Sequence, residues 1–120
     1  MITTNQIFTA ITIAANESFE SVPIKLPASS MEGFFALGIE LTGSGTATFE
    51  YETSDYGNEF VTHSDAADKI VTGFTVTSGP GSDGKDRISF EPELCSYLKI
   101  KCTETGGAST ITITVTLTVQ

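Results

Sequence analysis

The chain has 120 residues, 39% of them hydrophobic and 18% charged, with six basic against fifteen acidic side chains and a net charge of −9. That length suits one domain over residues 1–120, able to bury about two-thirds of its unfolded surface without help from a metal or a disulfide. The acidic balance argues against nucleic acid and against anionic membrane surfaces as partners, because both are held by clustered lysine and arginine.

In chain order, residues 1–8 carry no basic n-region and no continuous apolar core, so no secretory signal is expected and synthesis in the cytoplasm is. No apolar run approaches the length of a membrane helix. Residues 7–13 read as a first strand, with Ile7, Thr9, Ile11 and Ile13 on one face. Residues 14–17 are a turn. Val22, Ile24 and Leu26 alternate inward along an edge strand, where Pro23 withholds a backbone donor. Residues 27–32 are a loop.

Residues 34–42 are a strand that buries Phe35, Leu37, Ile39 and Leu41. Gly43, Ser44 and Gly45 then turn the chain into residues 46–53, with Ala47, Phe49 and Tyr51 inward, and the pair reads as a hairpin. Residues 64–68 read as one helical turn and residues 69–77 as a strand that Gly73 bends or bulges. Residues 78–86 form the loop richest in glycine and proline. Residues 87–91 are a short strand with Ile88 and Phe90 inward, and residues 92–95 are a second helical turn begun by Pro92. Residues 97–103 bury Leu98, Ile100 and Cys102 and turn through Gly106 and Gly107 into the last strand, a second expected hairpin.

That last strand is the plainest feature of the chain. Ile111, Ile113, Val115, Leu117 and Val119 occupy every second position, and Thr110, Thr112, Thr114, Thr116 and Thr118 fill the gaps. Alternate side chains of a strand point to opposite faces, so one face is aliphatic and the other threonine. The aliphatic face needs a second layer to cover it. With eight or nine short strands and no helix beyond about one turn, the fold class is an all-β, antiparallel β-sandwich of jelly-roll-like type.

Candidate chemistry is sparse. Asp55, Tyr56 and Asn58, in a loop with Gly57 and Glu59, offer oxygen ligands, but their spacing is not that of a calcium loop and a strand-connecting turn explains them. Asp83 and Asp86 sit in a second exposed loop with a candidate binding role and no phosphate-loop ending. His63, the single histidine, has Ser64 and Asp65 beside it, and a catalytic triad is assembled from distant segments instead. No catalytic residue, no metal site and no cofactor is therefore assigned, and the chain is not read as an enzyme. Cys95 and Cys102 are seven residues apart, roughly 23 Å if extended, and are read as reduced. Tyr97, Lys99 and Lys101 form an outward row, with Glu50 and Glu52 as expected cross-strand partners.

Two resemblances add to this. Residues 49–60, with Ser54, Asp55 and Gly57 ahead of an aromatic, resemble a segment of discoidin-type, galactose-binding-like jelly rolls, as does the run Tyr97-Leu98-Lys99-Ile100-Lys101. That resemblance implies a carbohydrate-binding module with a glycan held in the loops at residues 55–59 and 78–86. Residues 78–86 and 97–108 are also similar to the C-terminal halves of small virion-associated proteins, decoration or accessory modules, of tailed phages and prophages. This second resemblance implies a non-enzymatic structural protein located in the virion and bound to other virion proteins or to itself. The threonine face supports self-association. It is uncharged in a chain of net charge −9, so a homo-oligomer is expected, with Thr112, Thr114 and Thr116 near its interface.

Overall fold

Ile111, Ile113, Val115, Leu117 and Val119 are all buried and the threonines between them are half-buried. The alternation read from the sequence is thus the alternation of the folded strand. The structure, a computed structural model, describes residues 3–26, 35–61, 69–92 and 95–119. Over those residues it shows no helix and nine strands: β1 (Thr3–Ile13), β2 (Ser18–Glu20), β3 (Ile24–Lys25), β4 (Phe35–Gly43), β5 (Ala47–Ser54), β6 (Lys69–Phe74), β7 (Lys85–Phe90), β8 (Tyr97–Glu104) and β9 (Ile111–Val119).

They form two antiparallel sheets, ordered β1-β9-β4-β7 and β2-β8-β5-β6, with β3 also pairing β8. If β2 and β3 count as one broken strand, the first strand pairs the last, the second pairs the next to last, and so inward to β5 with β6. A long hairpin rolled on itself has this nesting, and the sandwich is jelly-roll-like as expected. Between the sheets lie Phe8, Leu37, Ile39, Leu41, Phe49, Tyr51, Leu98, Ile100 and the aliphatic row of β9, all buried. Each such side chain contributes about 1.5–3 kcal/mol by leaving water. Cys102 shares this core, where burial pushes its thiol up to about 12, and neither cysteine forms a disulfide.

Four expectations are corrected. The turn at Gly43–Gly45 does not close a hairpin: β4 pairs β7 and β9, whereas β5 pairs β6 and β8, so the chain crosses from one sheet to the other there. The turn after β8 crosses back in the same way. Two strands with apolar inner faces can pair edge to edge or pack face to face, and a short glycine turn serves both. Gly43 takes φ 99° at its corner, with Thr110 and Ile111 backbone so close that no Cβ would fit.

In β1 the face parity is shifted. Two register shifts between Gln6 and Ile11 add residues to β1, with Ala10 at φ 46°, so Ile11 and Ile13 keep the expected face opposite Ile113 and Ile111, while before the bulge Phe8, opposite Val115, is buried and Ile7 is only partly covered. The expected strand around Val22 is instead two fragments. Ser21 breaks it by bonding across to Ile100 through both its N–H and its hydroxyl, and Val22 is left 79% exposed. Gly73 bulges β6 as expected, at φ 68°. His63 and the helical turn at residues 64–68 lie outside the described residues, as do residues 93–94 of the other helical turn.

Candidate functional site

The outer face of the first sheet is the threonine face. β9 lies between β1 and β4, so its threonines have neighbours on both sides. Their hydroxyls are used sideways. Thr112 bonds Thr12 and Thr118 bonds Thr4, each at 3.1 Å between Oγ1 atoms, and Thr114 Oγ1 accepts from the backbone N–H of Ala10 at 3.1 Å. The last bond caps the bulge of β1. Thr116 stands over Gly38, whose missing side chain makes its room: a Cβ there would lie 2.5 Å from Thr116 Oγ1. The row therefore stitches β9 to its neighbours, a role that sequence alternation alone did not show.

Beside Thr114 and Thr116 the face dips into a shallow concavity of about 440 Å³, which Gly38, Glu40, Lys85, Asp86 and Arg87 help to line. Lys85 pairs loosely with Glu40, at 3.9 Å, and both are exposed. The structure thus brings Asp86 together with Thr114 and Thr116, three of the sequence candidates. Thr112 lies further along the same row, opposite Thr42. The carboxylate of Asp83 accepts from the Lys85 N–H at 3.3 Å and shapes the loop ahead of β7, whereas Asp86, expected in that loop, lies within β7 opposite Ile39 and accepts from the Arg87 backbone N–H at 2.7 Å.

Asp55, Tyr56 and Asn58 are elsewhere. They line a separate depression of about 360 Å³ with Thr53, Ser54, Glu59 and Val61. The loop is closed by a backbone pair between Thr53 and Val61 and by Ser54 Oγ, which accepts from the Gly57 N–H at 2.9 Å. Gly57 takes φ 88° and packs on the Tyr97 ring. The two loops stand at opposite ends of the sandwich. The 43–46 corner joins the end of β4 to the start of β5; Lys85 pairs Glu40 near that corner, whereas Ser54 pairs Tyr97 at the far end of β5. One ligand held by both loops, as the discoidin resemblance implies, is therefore not what this geometry provides.

The outward lysine row meets the expected acids. Glu50 lies opposite Lys101 and Glu52 opposite Lys99, and the Phe60 ring sits 4.5 Å from Lys99 Nζ. Sequence reasoning missed a third acid: Glu20 of β2 pairs Lys101 from the other side, and its carboxyl group hydrogen-bonds Glu52. Burial, then the bond to Glu20 and its charge, push Glu52 up to about 7 against the pull of the two lysines. Glu20 is lowered, first by the same hydrogen bond and then by the lysines. Below about 7 Glu52 holds the proton of this bond. Carboxyl groups in mutual hydrogen-bond contact are too close for the glycosidase arrangement, which needs about 5 Å or more between them.

The other missed residue is Glu104. It is fully covered, at the end of β8, by turn backbone. Its Oε1 accepts from Asn16 N–H at 3.1 Å and Gly107 N–H at 2.8 Å, and its Oε2 from Thr46 and Gly106 N–H, both at 2.8 Å. The Thr46 and Gly107 bonds lead in holding it down at about 2, with burial opposing. Three separate turns are tied to one carboxylate. The available signal was an acid two residues before Gly106-Gly107: a Cβ at Gly106 would lie 2.8 Å from Oε2.

No protein-family model matches the chain, and no curated protein matches it. Solved structures do share its fold. The VP2 subviral particle of infectious bursal disease virus aligns with 99% of this chain and 31% of its own, at 8% identity and a TM-score of 0.56. T=1 particles derived from the same virus give 99% and 31%, at 9% identity and a TM-score of 0.57. This chain therefore spans about a third of the length of those viral chains. The SPBc2 prophage-derived protein YomS aligns with 99% of this chain and 92% of its own, at 15% identity and a TM-score of 0.48. With the viral chains, what is shared at such identities is the fold.

Proposed function

We propose that this chain is a structural protein of a phage or prophage virion, a capsid-decoration or head/tail accessory module that works through protein–protein contacts and not as an enzyme. The observation that carries the reading is the outer face of β9. It is a long, uncharged threonine row on a chain of net charge −9, tied to its neighbouring strand by its own hydroxyl bonds. A surface of that kind suits contact with another protein better than capture of a charged ligand. The same rolled sandwich in a viral particle protein adds support. Thr112, Thr114 and Thr116 are the proposed contact to other virion proteins, and the chain also associates with itself. Whether the protein travels with purified particles decides the matter.

A second reading, a glycan-binding module, has one specific observation in its favour. Tyr56 is 85% exposed, in the same depression as Asp55, Asn58 and Glu59. Sugars stack on such rings and bond to such oxygens. On this reading a glycan array gives binding that Tyr56→Ala abolishes; an array blank with and without calcium removes it.

A further inference from the structure

The sandwich has four strand edges, and three of them carry the usual deterrents to pairing. β7 has Lys85, Asp86 and Arg87 in succession. The β2–β3 edge is broken at Ser21 and carries Pro23, and β6 is bulged at Gly73. β1 differs. It runs for 11 residues, and from residue 1 to residue 16 the sequence holds no charge and no proline. Among the described residues no strand pairs with its outer side. Its bulge is the one deterrent it has.

The side of the molecule that β1 borders also exposes two large apolar side chains, between Glu17 at one end and Lys25 at the other. Phe8 of β1 and Phe19 of β2 meet edge to face, 5.6 Å between centroids, so the β1 and β2 edges of the two sheets lie on one side. There Phe19 is 42% exposed and Val22 is 79% exposed. Glu20 turns away from that side, to Glu52 on the outer face of the second sheet.

We propose that this side is where a second copy docks, with the two β1 strands antiparallel about a two-fold axis and Val22 near its partner's Val22. Charge selects this occupant. Two chains of −9 repel wherever carboxylates face each other, and β1, with no charged side chain from residue 1 to residue 16, is the strand on which they can meet without that. A partner chosen for its opposite charge would use the acidic remainder. Antiparallel edge pairing is self-complementary, as a two-fold contact must be. The contact leaves the threonine face free for another protein, so this inference stands or falls apart from the virion reading.

A charge swap at Val22 tests it. The side chain is so exposed that Val22→Lys and Val22→Glu leave the fold intact, which an unchanged Tm checks. The wild type is expected to sediment as a dimer. Each variant alone places like charges across the axis and dimerises about tenfold more weakly or worse. An equimolar mixture of the two restores a dimer containing one of each. A wild-type monomer at millimolar concentration overturns the proposal, and so does a dimer that neither charge weakens.

Discussion

Glu104→Gln is expected to lower Tm on the order of 10 °C although it removes no atom from the packed structure. The carboxylate receives four backbone N–H groups, from Asn16, Thr46, Gly106 and Gly107, and donates none. An amide of the same shape keeps one oxygen and turns the other into a donor. Whichever way it flips, two backbone N–H groups then face an NH₂ inside a site with no exposure to water. An unsatisfied buried donor costs more than the bond that was lost. The damage is spread over three turns, those after β1, β4 and β8, so all of them should gain hydrogen exchange together. An unchanged Tm in Glu104→Gln would show that the carboxylate is not what ties them.

Stability should pass through a dome with pH, and its two limbs belong to different glutamates. Glu104 is held at about 2, below the usual carboxylate value, so its contribution is present above that usual value and is lost as pH falls toward 2. Glu52 has the opposite sign. Raised to about 7, it contributes stability that is full below the usual carboxylate value and is lost as pH rises through 7. A decline between about pH 5 and pH 8 that then levels off is the expected alkaline limb. Glu52→Gln keeps a donor for Glu20 at every pH. It should flatten that limb and stabilise the protein at pH 8 by on the order of 1 kcal/mol, partial solvation and the lysines cutting the full shift. Urea unfolding at pH 5 and pH 8 measures this. Equal loss across that interval in wild type and Glu52→Gln would assign the limb to another group.

What could be read from the sequence was whatever repeats at every second residue. The inner rows of β4, β5, β8 and β9 were legible because each is regular, uninterrupted and apolar. Pairing was not, since Gly43–Gly45 closes a hairpin or a corner with equal ease and only the long-range register of β9 with β4 and β1 decides. Parity failed in β1 because two inserted residues leave no mark in a run where nearly every residue is apolar or threonine. Val22 failed because Ser21 outcompetes the strand by bonding Ile100 with both its groups. At the candidate site, Asp86 beside Thr114 and Thr116 is a meeting of segments far apart in sequence. The Glu20–Glu52 proton pair is invisible for the same reason, and so is the cradle of Glu104.

The central claim concerns where the protein resides, and fractionation of particles tests it most directly. Virions purified through a density gradient from the host that carries the gene are analysed by quantitative mass spectrometry. The account predicts that the protein sediments with intact particles at a fixed copy number relative to the major capsid protein, and that Thr114→Lys with Thr116→Lys lowers that number. Recovery of the wild-type protein only in the soluble fraction, with particles complete and infectious without it, would contradict the account.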